Sequence, residues 1–284
     1  MKKRHNDMTL PMAEMSVLKA LEEILQASDS LKRRETIPVQ PQNQSDRSSH
    51  DIGVLVENHA VVALSARYSA LTALPSSIDQ FTSLRAVDLT GNLLTALPDS
   101  LGNLPHLQKL SLDGNQLTVL PETLFQLTNL ETLHVYGNQL AALPGSLGQL
   151  TSLKDLSLGH NRLTTLPESF WQLTNLQVLN LAENQLVSLP ETMGDLSDLH
   201  TLDVGHNELA SLPESLGKLT NLTFFLYLND NRLTSLPASL FENLSKLRYL
   251  NITDNSLTTL PESIGNLTSL IELRLYNNQL TTLQ

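Results

Sequence analysis

One asparagine returns along this chain at a near-constant interval: Asn92, Asn115, Asn138, Asn161, Asn184, Asn207, Asn231, Asn255 and Asn278. The step is 23 residues five times, 24 twice and then 23 again. Apolar residues travel with it in fixed register, as Leu84, Val87, Leu89, Leu94, Leu97, Leu101 and Leu104 do around Asn92. A period of about 20–30 residues marks a solenoid, because one such unit cannot bury its apolar face without a neighbour stacked on it. In Leu84-Arg85-Ala86-Val87-Asp88-Leu89 the side chains alternate, so Val87 and Leu89 are expected inward and Ala86 and Asp88 outward. Stacked repeats then form a parallel sheet. After each strand the backbone turns inward, where an unpaired N–H or C=O costs roughly 1–3 kcal/mol. An amide side chain both donates and accepts, so each Asn is expected to serve its own turn and the next one, as a ladder. Asp could accept but not donate, and Leu could do neither. The role of these asparagines is structural.

The return path is as regular as the strand. Leu166-Pro167-Glu168-Ser169-Phe170 and Leu212-Pro213-Glu214-Ser215-Leu216-Gly217 show the pattern. Pro167 and Pro213 suit the first position of a short helical turn, and the Glu that follows suits its positive end. Such short segments are expected as 3₁₀ or irregular turns, being too short for a stable α-helix.

Ahead of the repeats the pattern differs. Residues 1–8 read as disordered. Residues 9–27 read as an amphipathic helix with Thr9 as cap and Pro11 in its first turn, carrying Val17, Leu18, Leu21, Ile24 and Leu25 on one face. That helix either covers the first repeat or docks a partner. Residues 28–51 are polar and Pro/Gln/Ser-rich, and read as a linker that closes an N-terminal segment, 1–51. From 52 to 284 runs one repeat domain. It opens with a capping hairpin and a degenerate first repeat (52–83), in which Ser69 stands where the ladder needs Asn. The regular repeats fill 84–284. Two of them carry an extra residue, near Thr223–Leu226 and Phe241–Leu244. No cap follows the ninth ladder turn. The expectation is either a longer protein or an edge free to self-associate.

Formal net charge is −11, and residues 61–284 carry ten basic against twenty acidic side chains. That balance argues against nucleic acid or an anionic membrane as partner. There is no cysteine, which removes disulfides, zinc-thiolate sites and a cysteine nucleophile and fits a reducing, cytoplasmic setting. No apolar run is long enough to span a bilayer. Met1-Lys2-Lys3-Arg4 is followed by charged residues and not by the apolar core of a signal peptide.

The Leu-Pro-Glu-Ser-Leu-Gly-x-Leu-Thr-x-Leu repeats over about 61–284 resemble those of leucine-rich repeat proteins with 23-residue repeats, including intracellular Ras-group and prokaryotic members. Val56-Glu57-Asn58-His59-Ala60-Val61-Val62-Ala63-Leu64 is similar to the segment that leads prokaryotic members. The resemblance implies an α/β solenoid, a horseshoe with a concave parallel sheet, short convex turns and an N-terminal helix and hairpin. It also implies protein binding on the concave face. No phosphate-binding Gly-rich motif or cysteine supports a fused GTPase or ubiquitin ligase.

The outward positions vary while everything else repeats. Through residues 84–284 the central row reads Asp88, Ser111, His134, Ser157, Asn180, Asp203, Tyr227, Asn251, Arg274. Flanking rows place Phe225 and Tyr249 two residues before it, and Tyr136 and Tyr276 two after. Aromatic and Arg side chains anchor interfaces, so Phe225, Tyr227, Tyr249, Arg274 and Tyr276 are the expected binding patch, with His134 and Tyr136 as a second contact. His160 and His206 lie two repeats apart, too far to share a metal, and Asp88, Asp113 and Asp203 form no readable acid–base pair. The reading is therefore a non-catalytic scaffold for a protein or peptide, with no cofactor and no metal. The alternative is the recognition part of a larger enzyme or signalling protein.

Overall fold

The structure, a computed structural model, describes residues 10–27, 39–40 and 52–282. The chain forms two compact units, 1–130 and 131–284. The expected disorder of 1–8, the Thr9 cap and most of the expected linker lie outside the described residues.

The N-terminal unit opens with helix α1, Met12–Ala27. The carbonyl of Pro11 accepts from the Met15 N–H at 3.0 Å, so the proline precedes the helix instead of entering its first turn. The buried stripe is Glu14, Val17, Leu18, Leu21 and Leu25, spaced at helical i, i+3, i+4 intervals. Ile24, expected on that stripe, is half-exposed. Glu14 takes a place on it because its Oε2 accepts the Val61 N–H at 3.0 Å. Burial raises the carboxyl's pKa, and the Val61 bond offsets part of that. The helix lies against the turn Ile78–Gln80 and so covers the first repeat.

Within the former linker, β1 (Val39–Gln40) pairs parallel to β2 (Ile52–Glu57). β2 pairs antiparallel with β3 (Ala60–Ala66) as the capping hairpin. Its two-residue loop, Asn58-His59, has φ of 48° and 64°, the left-handed pair that matches strand twist in a tight hairpin. Strand β3 passes parallel to β4 (Ala86–Asp88), and β4 to β5 (Lys109–Ser111).

The C-terminal unit repeats one theme seven times. Its strands are β6 (Thr132–His134), β7 (Asp155–Ser157), β8 (Val178–Asn180), β9 (Thr201–Asp203), β10 (Phe225–Tyr227), β11 (Tyr249–Asn251) and β12 (Glu272–Arg274). All pair in parallel and in sequence order. Each middle residue points inward: Leu133, Leu156, Leu179, Leu202 and Leu226 are fully buried.

The asparagine ladder is present, with one correction. Asn161 Nδ2 donates to Leu158 O and Gly159 O in its own turn, and to Val135 O in the preceding repeat. Its Oδ1 accepts the Leu140 N–H, also from the preceding repeat, at 3.0 Å. Asn184, Asn207, Asn231 and Asn255 repeat this arrangement. Each amide therefore serves its own turn and the one before it, not the one after. Asn92 does the same for the degenerate first repeat, accepting from the N–H groups of Ser69 and Leu71. There the Ser69 hydroxyl bonds Arg67 O.

On the other side the return segments are 3₁₀ turns, such as Gly145–Gln149, Glu168–Gln172 and Glu214–Lys218. The proline lies one position earlier than expected. Pro167 is extended, with φ −66° and ψ 149°, and its carbonyl accepts the first turn's N–H from Phe170 at 2.9 Å. Glu168 is then the first helical residue. The extra residue near Phe241 replaces the 3₁₀ turn of that repeat by plain turns over 238–241 and keeps Phe241 fully buried.

Candidate functional site

The open face of the C-terminal unit is set by strand register. Phe225 lies opposite Thr201 and Tyr249, and Tyr227 opposite Asp203 and Asn251. Tyr249 faces Glu272, and Asn251 faces Arg274. Most neighbours are small or polar, so the aromatic rings meet one another. Phe225 stacks on Tyr249 with centroids 4.8 Å apart and on Tyr227 at 5.5 Å. Such contacts add to simple area burial. Tyr227, Tyr249, Asn251, Glu272 and Arg274 line a small cavity of about 50 Å³. Arg274 Nε lies 2.5 Å from Glu272 Oε1, which raises the guanidinium's pKa further.

Asp203 lies beside this cluster. Its Oδ1 accepts the Gly205 N–H at 3.0 Å. Burial nevertheless raises its carboxyl above the ordinary value. Tyr227's phenol is raised as well, by burial first and by the charge of Asp203 second.

Four of the expected anchors, Phe225, Tyr227, Tyr249 and Arg274, are thus brought together. Tyr276 is 60% exposed and lies two residues past the end of β12. His134 and Tyr136 belong to β6 and the turn that follows it, four strands away from β10 and so about 19 Å along the sheet. His134 Nε2 is 3.1 Å from Asp155 Oδ2. Tyr136 lies across Gly159, where an added Cβ would come within 2.8 Å of its ring, and donates to Glu183 Oε1 at 2.8 Å.

Sequence reasoning missed a fourth variable row. The residue before each ladder Asn has positive φ in every full repeat: Gly91, Gly114 and Gly137 first, then His160, Glu183, His206, Asp230, Asp254 and Asn277. Its later members pair along the rim. His160 Nδ1 is 2.7 Å from Glu183 Oε2, and His206 Nδ1 is 2.6 Å from Asp230 Oδ2. The Tyr136 and His160 bonds together lower the pKa of Glu183. The switch from Gly to charged residues was the available signal. Asp88, by contrast, bonds Thr90 within its own turn and lies 3.5 Å from Arg67. No group of three or more metal-ligating side chains occurs among the described residues.

Family models match along the chain: a leucine-rich repeat region at 61–176 and leucine-rich repeats at 175–196 and 225–280. A solved leucine-rich repeat protein of Leptospira interrogans is 32% identical, with 83% of this chain and 68% of that one aligned and a TM-score of 0.57. The chain belongs to the leucine-rich repeat proteins.

Other leucine-rich repeat structures align too. The ectodomain of the receptor kinase GASSHO1/SCHENGEN3 of Arabidopsis thaliana, in complex with Casparian strip integrity factor 2, is 33% identical over 93% of this chain, with a TM-score of 0.75. The plant peptide hormone receptor RGFR1, in complex with RGF2, is 30% identical over 73% of it, with a TM-score of 0.58. This leucine-rich repeat chain spans only 33% and 38% of those two receptor chains. No curated protein sequence matches it.

Proposed function

We propose that this leucine-rich repeat protein is a non-catalytic scaffold that binds a protein or peptide on the open face of its C-terminal unit. The stacked cluster of Phe225, Tyr227 and Tyr249 beside Arg274 carries this reading. It is a rigid aromatic anchor on a face whose other positions are mostly small or polar, and anchors of this kind dominate interface energies. Two structures similar to this chain are receptors in complex with RGF2 and with Casparian strip integrity factor 2, which supports a face that takes up such partners. His134 and Tyr136 form the second contact, reached by a partner that runs across the strands between β6 and β10. The carboxylates Asp155, Glu183 and Asp230 are already bonded to neighbouring side chains, which suits recognition better than acid–base chemistry. The absence of cysteine supports a reducing, cytoplasmic compartment, to be checked by cell fractionation.

The test is affinity capture with wild type beside a Tyr227→Ala/Tyr249→Ala double variant, followed by titration of the captured partner. The double variant should bind at least about 30-fold more weakly, the loss of a hot spot, with its thermal midpoint kept. Equal binding by both proteins would refute the reading.

A further inference from the structure

The charges of the C-terminal unit are sorted by face. Residues 131–284 contain seven Lys and Arg, and among the three outward rows of the strands only Arg274 is one of them. That one is already held by Glu272. Acidic groups, by contrast, line the same face and its rim, among them Asp155, Glu183, Asp203 and Asp230. Most have a partner. Asp203 has the Gly205 N–H and forms no salt bridge among the described residues. It also lies directly across from Tyr227 in the sheet, next to three stacked rings.

An aromatic surface attracts a cation through the ring quadrupole, more so where water is partly excluded. A carboxylate that burial holds at a raised pKa would have that cost relieved by a cation beside it. Both features ask for the same occupant. We propose that this face takes a basic, extended segment of a partner protein, one Lys or Arg of which lies over the Phe225/Tyr227/Tyr249 rings and pairs with Asp203. The inference rests on the binding face described above and adds the charge of its ligand. An acidic or nucleic-acid partner would meet repulsion along the whole unit.

The experiment uses the full chain as bait for a display library of random short peptides, with enriched peptides then titrated one by one. Peptides selected by wild type should be net positive. They should bind Asp203→Asn, which keeps the Gly205 bond but not the charge, about tenfold more weakly. Raising salt should erode that difference. Enriched peptides that are neutral or acidic would overturn the proposal, as would basic ones bound equally by Asp203→Asn; in either case loss on Tyr227→Ala/Tyr249→Ala would leave the binding face standing. No enrichment, or peptides bound equally by the double variant, would overturn both.

Discussion

A single side chain of the ladder shows what the fold demands of its residues. Asn161 is 8% exposed, and its Nδ2 donates to three carbonyls while its Oδ1 takes the Leu140 N–H. Replacing it by Asp keeps the acceptor and points a charge at three carbonyl oxygens. The expected loss is about 3 kcal/mol or more at neutral pH, since both the lost donor and the buried charge count. The sign with pH follows. The new carboxyl has a folded pKa above its unfolded value of about 4, so its penalty grows as pH rises through that value and shrinks as pH falls towards it. Urea unfolding of Asn161→Asp beside wild type, at neutral and at mildly acidic pH, checks both points; a deficit independent of pH would mean the charge is not felt. The need for an amide was legible in the sequence, because an amide carries two N–H donors beside an acceptor oxygen, which no hydroxyl does. The direction of service was not. Period and residue type are the same whether each Asn bonds the turn before or the turn after. Only the path of the backbone, which brings Leu140 N and Val135 O to Asn161, decides between them.

At the scale of elements, the strands were read correctly from alternation, while the return segments were placed one residue out. Proline's fixed φ suits both the residue before a turn and the first residue within it, so sequence alone did not separate the two. The burial of Glu14 was hidden for a similar reason. Helical periodicity puts it on the apolar stripe, but its charge argues against that position until the Val61 N–H is known to meet it. The spacing between successive return turns has its own consequence. An added Cβ on Gly148 would come within 2.3 Å of the Ser169 carbonyl oxygen, whereas one on Gly145, at the start of the same turn, would meet nothing within 4 Å. Gly148→Ala should therefore destabilise by about 1–3 kcal/mol through forced separation of neighbouring turns. Gly145→Ala should be neutral or stabilise by up to about 1 kcal/mol by restricting the unfolded chain. Denaturant midpoints of the two variants test this, and similar losses in both would show that the turns are not in close contact.

For the molecule as a whole, position along the stack decides what a residue contributes. The repeat pattern made the solenoid legible because every repeat asks for the same leucines. It made the binding face legible only as rows of candidates, since rows say which residues face out and not which rings stack or which charges lack a partner. Phe225 was marked by its row, and the row set Asp203 beside Tyr227, but Asp203 gained meaning only once the rings were seen to stack there. The same dependence on neighbours holds in the core. Leu226, Leu250 and Leu273 occupy one register position on β10, β11 and β12. Their sequence contexts are alike, yet Leu226 is fully buried and Leu273 is 40% exposed, because no strand pairs with the outer side of β12 among the described residues. In a stacked fold each repeat is stabilised by its contacts with both neighbours, so an outer repeat receives one set of contacts where an inner one receives two. Leu226→Ala should then cost about 2–5 kcal/mol, the usual range for a buried leucine. Leu273→Ala should cost less than about half of that, because much of its surface already meets water. Urea unfolding of the two variants gives the comparison directly. Equal losses would mean that Leu273 is covered in solution, and a sedimentation measurement on the same samples would show whether a second copy covers it.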